Sequence, residues 1–292
     1  MHHLSDRRNF IRTGALAVSG IMLSSRVFAE EGRKLFSAMG VAGPLDRAAV
    51  FKKSGAEFLT LGTGDFLVPD KPDEAFAKNL EKLAASPLPV LACNGFIRPA
   101  HLRCVGPDAN HALILEWAET AFRRLKQAKG RFIVFGSSGA RQIPDGWPRE
   151  KADEQFVALL KSLGPLAEKH GVTVALEQLQ VSECNYINRI GEAAQLIRTA
   201  GHPHVRLLAD FHHMARGGDT PADLKAAMDV VVHVEIAEKE KRSYPGVAGD
   251  DFRPFFRVLR EAGYHGAINI EGKGTDEQLA PAFQEIAKQS AG

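Results

Sequence analysis

Four acidic residues each close a short apolar run: Glu177 ends VTVALE, Asp210 ends VRLLAD, Glu235 ends VVVHVE and Glu271 ends GAINIE. Burying a carboxylate costs roughly several kcal/mol unless a partner compensates it. Four carboxylates brought to one point cannot all stay ionised, because like charges at close range raise one another's pKa. A divalent cation removes that conflict. Hard oxygen donors suit Mg²⁺ or Mn²⁺ first, with Zn²⁺ and Co²⁺ as further candidates. The alternative is that these acids cap helices or pair with surface cations just after strands. That reading fits any one of them, whereas four in succession favour a shared site. The stretch DVVVHVEIAE poses the question most sharply, because His233 and Glu235 lie two apart in a Val-rich run and so share one face.

The elements that must position these acids alternate regularly from residue 34. Strand-like KLFSAMGV, AEFLTLG, LPVLACN, RFIVFG, VTVALE, VRLLAD, VVVHVE and GAINIE are each followed by a helical segment, from PLDRAAVFKKSG to a last helix beginning near Thr275. The strands are short and apolar throughout, the pattern of parallel strands covered on both faces. Eight such units predict a single-domain α/β fold, the (β/α)8 barrel, in which chemistry sits at the C-terminal ends of the strands. A doubly wound open sheet is the runner-up, but no strand is followed by GxGxxG. Gly55, Gly130, Gly171, Gly201 and Gly263 stand where helices should hand over to strands.

The 292-residue chain is 45% hydrophobic and 25% charged with a formal net charge of +2, enough apolar material for a sizeable core. No dense basic stripe interleaved with aromatics is present, so a nucleic-acid partner is not expected. Cys93, Cys104 and Cys184 form no CxxC and read as small buried hydrophobes rather than a disulfide framework. The segment FGSSGAR is glycine-rich but lacks the Lys-Ser/Thr of a P-loop, which argues against nucleotide binding.

Residues 5–30, SDRRNFIRTGALAVSGIMLSSRVFAE, pair Arg7 and Arg8 ahead of Phe10 and an apolar stretch, and close on Val27, Phe28 and Ala29. The stretch is shorter than the about 20 residues that span a bilayer. It resembles a twin-arginine export signal, which implies a signal over residues 1–29, a mature barrel over residues 30–292 and a periplasmic location with no membrane attachment after cleavage. The alternative is a basic N-terminal arm.

The residues around the four acids resemble the xylose-isomerase-like barrel superfamily, in particular the sugar phosphate isomerase/epimerase group that includes the ketose 3-epimerases. The carrying segments are ALEQLQVSECNYIN, LLADFHHM, HVEIAEKEKRSYPG and INIEG, with looser likeness in CNGFIRPAHLRCVGPD and IVFGSSGARQIPDGW. The resemblance implies that Glu177 and Glu271 are both metal ligands and catalytic carboxylates, and that Asp210 is a further ligand. It makes Glu183, His213 and Arg242 substrate contacts, has Asn185 support its loop, and sets Asn94 and Arg141 on loops at the mouth as further substrate-binding candidates. One position departs: the group's HxH supplies a metal-ligating second His, and here that residue is Glu235. His233 lies deeper and does not replace it. An all-carboxylate set shifts preference toward Mg²⁺ or Mn²⁺.

The implied activity is a metal-dependent sugar isomerase or epimerase acting on a small keto-sugar by proton abstraction through an enediolate. A lyase on a keto-glycoside would use the same residues. A catalytically inactive carbohydrate-binding barrel is the reading that Glu235 keeps open. An endonuclease IV-like phosphodiesterase is disfavoured, because its His-rich ligand cluster is missing. Arg141 could equally form a surface ion pair, His212 reads as a packing residue, and Trp147 as a sugar-stacking wall or a helix-packing group. The small-molecule partner is a carbohydrate, and a homo-oligomer is left open.

Overall fold

In the computed structural model, which describes residues 34–291, eight parallel strands pair in chain order and close β8 back onto β1. They are β1 (Met39–Ala42), β2 (Phe58–Gly62), β3 (Val90–Asn94), β4 (Phe132–Phe135), β5 (Thr173–Glu177), β6 (Val205–Asp210), β7 (Val231–Ile236) and β8 (Ile268–Ile270). The outer ring is α1 (Ala48–Ser54), α2 (Asp73–Ala84), α3 (His111–Gln127), α4 (Arg149–His170), α5 (Ile190–Ala200), α6 (Pro221–Ala227), α7 (Arg253–Glu261) and α8 (Asp276–Ser290). The expected export signal lies outside the described residues. Among those residues, no helix is long and apolar enough to cross a membrane.

The strands are buried on both faces, as their unbroken apolar composition demands. Their outward side chains join the helices in one large core, while Ala92, Phe132, Val134, Ala175 and Leu208 form a smaller cluster inside the barrel. Phe58 fills the interior against β1, where a Cβ on Gly40 would lie 2.2 Å from its ring. His233 belongs to this interior. It is fully buried, stacked on Phe132 at 5.1 Å and 6.4 Å from Phe58, and neither ring nitrogen has a hydrogen-bond partner. Desolvation holds its pKa down at about 3, so it is a neutral ring in the barrel floor.

Several sequence expectations shift by local chemistry. The first strand is confined to Met39–Ala42 rather than beginning at residue 34. Gly55, Gly171 and Gly201 take the left-handed C-cap as expected, and Gly263 has φ +70° just beyond α7. At the end of α3 the left-handed residue is instead Lys129, with φ 60°. Gly130 is needed for space, since a Cβ there would meet Leu125 at 2.1 Å. The last strand stops at Ile270, which leaves Glu271 one residue beyond it on the rim.

Candidate active site

Glu177 and Asp210 end β5 and β6, Glu235 sits one residue before the end of β7, and Glu271 follows β8. Strand register aligns Asp210 with Glu235 and Glu235 with Asn269, so the four acids expected from the sequence share one rim. One carboxylate oxygen from each lies within 4.8 Å of the others. A second grouping, Glu177, Asp210 and His213, meets the same criterion.

The alternative reading of these acids also holds for Asp210, one oxygen at a time. It caps the short helix Phe211–Gly217, its Oδ1 accepting from the His213 N–H at 3.1 Å. Oδ2 accepts from Arg242 Nη2 at 3.0 Å. The same Nη2 donates to Glu271 Oε2, and Arg242 Nε donates to the Glu271 carbonyl at 2.8 Å. Asn94, the last residue of β3, donates to Glu271 Oε1 at 2.6 Å. His213 Nδ1 accepts from the Gln180 N–H at 3.2 Å, and Nε2 lies 3.3 Å from Arg242 Nη1 and 3.4 Å from Glu177 Oε1.

These contacts divide the acids electrostatically. Desolvation would raise Asp210, but His213 and Arg242 outweigh it and hold this carboxyl below its ordinary value. Desolvation and repulsion from Glu177 push Glu271 up to about 7, against the pull of Arg242. Glu235, fully buried, is raised well above its ordinary value by desolvation and then by Glu271, Glu177 and Asp210. His213 is raised, because Asp210 and Glu177 overcome the desolvation that would lower it.

The donor set fits a divalent cation. Glu235 Oε2 is buried with no hydrogen-bond partner, and Glu177 Oε1 has none beyond the ion-pair contact with His213 Nε2 at 3.4 Å. Such oxygens call for a proton or a cation. Asn269 Nδ2 donates to Glu235 Oε1 at 2.9 Å, leaving the other oxygen free for the shared point. Glu177, Asp210, Glu235 and Glu271 would hold the ion, all through oxygen, which suits Mg²⁺ or Mn²⁺.

The remaining candidates divide. Glu183 lies exposed on the rim, 3.8 Å from Arg242 Nη1. Asn185 ties two loops together, its side chain exchanging hydrogen bonds of 2.9 Å with the backbone of Ile143. Arg141 is neither a surface ion-pair residue nor open at the mouth. It is fully buried, and its Nη1 donates to the Glu177 carbonyl at 2.7 Å and to the Phe135 carbonyl at 3.3 Å. Its place is behind Glu177, as support. His212 packs as expected, with Nδ1 2.8 Å from the Glu238 carbonyl. Trp147 is partly buried against the core with Lys151 over its ring, a helix-packing position. Gly136 presses on the site, since a Cβ there would fall 2.4 Å from Glu177 Oε2. Beside these groups a cavity of about 890 Å³ opens over the ends of β1 to β3, lined in part by Ala42, Gly43, Thr60, Gly62 and Asn94.

Sequence reasoning missed Glu238, which looks like one charge in the polar run EKEK. It is fully buried and accepts from the Ser243 hydroxyl and from the backbone N–H groups of Gly246, Ala248, Gly249 and Asp250. That cradle shapes the loop that carries Arg242. The only signal was its spacing, three residues beyond Glu235 in a run that had just left a strand. Glu238→Ala strands several backbone donors, each worth about 1–3 kcal/mol when buried unpaired. The variant should be destabilised by about 3 kcal/mol or more in a denaturant titration, and a loss under 1 kcal/mol would remove the cradle role.

The sequence profile of the xylose isomerase-like TIM barrel family matches residues 48–290. The inosose isomerase of Halalkalibacterium halodurans is 28% identical over 127 residues, which cover 39% of this chain and 44% of that protein. The chain thus spans less than half the length of that curated relative. The structure of 3-keto-D-glucoside 4-epimerase from E. coli aligns with a TM-score of 0.70 at 22% identity, over 86% of this chain and 98% of that one. A structure of IOLI protein with a zinc atom gives a TM-score of 0.70 at 18% identity, over 87% and 98%. At these identities the structural likeness is one of fold.

Proposed function

Because this chain belongs to the xylose isomerase-like TIM barrel family, we propose that it is a divalent-metal-dependent isomerase or epimerase of a small keto-sugar or sugar derivative. The observation that carries the reading is the convergence of four carboxylates, two of them with buried oxygens that lack a hydrogen bond, at the C-terminal mouth of the barrel. The names of the relatives, an inosose isomerase and a keto-glucoside epimerase, point the same way.

When bound, the cation supplies Lewis acidity to a sugar carbonyl and its neighbouring hydroxyl. The chain's own residues do the rest. Glu177 and Glu271 approach the substrate carbon from different strands; one takes the carbon-bound proton while the other, protonated beforehand, delivers its own proton to the carbon. Arg242 and His213 stabilise the developing oxyanion of the enediolate. Asn94 and Arg242 orient Glu271, while the Arg141 hydrogen bond to its carbonyl and the close approach of Gly136 fix Glu177. Expulsion of a group from the adjacent carbon would use the same enediolate, so a keto-glycoside lyase is the companion reading. We place the protein in the periplasm on the strength of Arg7, Arg8 and the Val27, Phe28, Ala29 cleavage pattern.

The test is metal analysis of the purified protein together with NMR detection of proton exchange into keto-sugars in D₂O. The reading expects near-stoichiometric Mn²⁺ or Mg²⁺ and deuterium at the carbon beside the carbonyl. No exchange by metal-loaded protein across a panel of ketoses would sink it and leave a carbohydrate-binding barrel.

A further inference from the structure

A second cavity of about 400 Å³ opens beside the acid cluster, and its lining has the opposite charge: Arg216, Lys239, Lys241, Arg242 and Lys273, with Glu183 as the one carboxylate. The five cations come from three separate βα-loops, those following β6, β7 and β8. Arg242 is the hinge between the two regions, its Nη2 on Asp210 and Glu271 and its Nη1 3.8 Å from Glu183. Among the described residues the other four have no carboxylate partner within ion-pair distance. Arg216 donates only to the Gln180 side chain, at 3.0 Å.

This convergence is built into the backbone. Lys241 and Arg242 are consecutive left-handed residues, with φ 57° and 53°, a conformation that L side chains rarely adopt. The Glu238 cradle holds the loop in that shape. Lys273 is stitched to the same loop, its N–H donating to the Arg242 carbonyl at 2.7 Å and its carbonyl accepting from the Tyr244 N–H at 3.2 Å. Unpaired cations crowded around one cavity repel one another, and an anion seated among them removes the repulsion.

We propose that the sugar bound at the acid cluster carries an anionic substituent, a carboxylate, sulfate or phosphate, seated in this cavity by Arg216, Lys239, Lys241 and Lys273. The inference rests on the reading of the acid cluster as a sugar site and adds the substrate's charge to it. The competing account is that these cations merely offset the field of the buried acids.

Equilibrium binding separates the two without requiring turnover. The probes are D-glucose, D-glucuronate, D-glucose 6-sulfate and D-glucose 6-phosphate, titrated calorimetrically into metal-loaded protein. We expect at least one anionic sugar to bind tenfold or more tighter than glucose, with the advantage shrinking as salt rises from about 20 to about 200 mM. In the double variant Lys239→Gln, Lys241→Gln, both exposed positions, the advantage should fall at least fivefold. The tightest of the three anions names the group. Equal binding of glucose and all three anions overturns the inference. So does a preference untouched by the double variant, as the field-offset account requires, or inorganic sulfate or phosphate competing as well as the sugar anion, which marks an adventitious ion only. Ketose exchange that persists with equal affinities sinks this inference alone. An anion preference in a protein that exchanges no ketose sinks the isomerase reading alone.

Discussion

Glu177→Gln and Glu271→Gln should each lower turnover by about 10³-fold, within the range that a positioned general acid or base contributes. The amide keeps the shape of the carboxyl but cannot accept the carbon-bound proton. Neither change should disturb the barrel. The Glu177 carbonyl that Arg141 binds is backbone and survives the substitution, and the Arg242 bond to the Glu271 carbonyl does likewise. Stability should move the other way for Glu271. Its carboxyl is raised to about 7 by desolvation and by Glu177, so replacing it with a neutral amide relieves repulsion in the metal-free protein. The expected pair of results is therefore a collapse in ketose exchange at saturating Mn²⁺ and an unchanged or higher melting temperature without metal at pH 8. Near-normal exchange in either variant would refute the assigned role, and unfolding of both would show the acids to be structural.

Stripped of metal, the protein should lose the stability that protonated Glu271 supplies, read as the difference from Glu271→Gln, as pH rises from about 4.5 through about 7. Glu271 has a folded pKa of about 7 against an ordinary 4.5. A group raised on folding contributes stability that is fully present below its unfolded value and is lost as pH climbs through its folded value. Glu235 is shifted in the same direction by the same causes and adds to the loss. Asp210, lowered by His213 and Arg242 against desolvation, acts in the opposite sense, and its contribution fades only in acid. His233, lowered by burial from 6.5 to about 3, also opposes Glu271, its contribution growing as pH rises towards 6.5. The Glu271→Gln difference is therefore the quantity to read. From Glu271 alone the loss is on the order of 3 kcal/mol, or roughly 5–10 °C in melting temperature for a chain of this size. Saturating Mn²⁺ should flatten the profile, because a cation then neutralises what a proton did. A metal-free melting-temperature difference between wild type and Glu271→Gln that stays level between pH 5 and pH 8 would mean that the acids are not packed together as described.

Much of this was legible from the chain because parallel strands buried on both faces leave an unmistakable apolar run. VRLLAD is β6 residue for residue, and a barrel with eight such strands forces the acids at their ends onto one rim. The less visible parts depend on neighbours distant in sequence. Arg141 reads as a loop charge because nothing local reveals that the carbonyls of Phe135 and Glu177 will enclose its guanidinium. Glu238 reads as a solvated charge because its partners are backbone amides of a loop whose shape it creates. Gly130 carries the signature of a helix terminator, yet the left-handed turn falls on Lys129 and the glycine answers a steric demand from Leu125. Asn269, which leaves Glu235 with one free oxygen, looks in the sequence like an ordinary polar interruption of INI.

The floor of the barrel bears on where a proton can go once it leaves carbon. His233 is neutral, stacked on Phe132 with Phe58 tilted beside it and without a hydrogen-bond partner, so this ring gives the acids no proton relay into the barrel floor. The mouth, where the sugar would sit, is the open side of the acid cluster. A proton lifted by one carboxylate thus stays beside the sugar, and its return to the same carbon competes with exchange into solvent. A ketose labelled with deuterium at the reacting carbon should therefore lose label from the recovered substrate more slowly than it forms product, and the ratio of the two rates reports how long the deuteron stays on the carboxylate that took it.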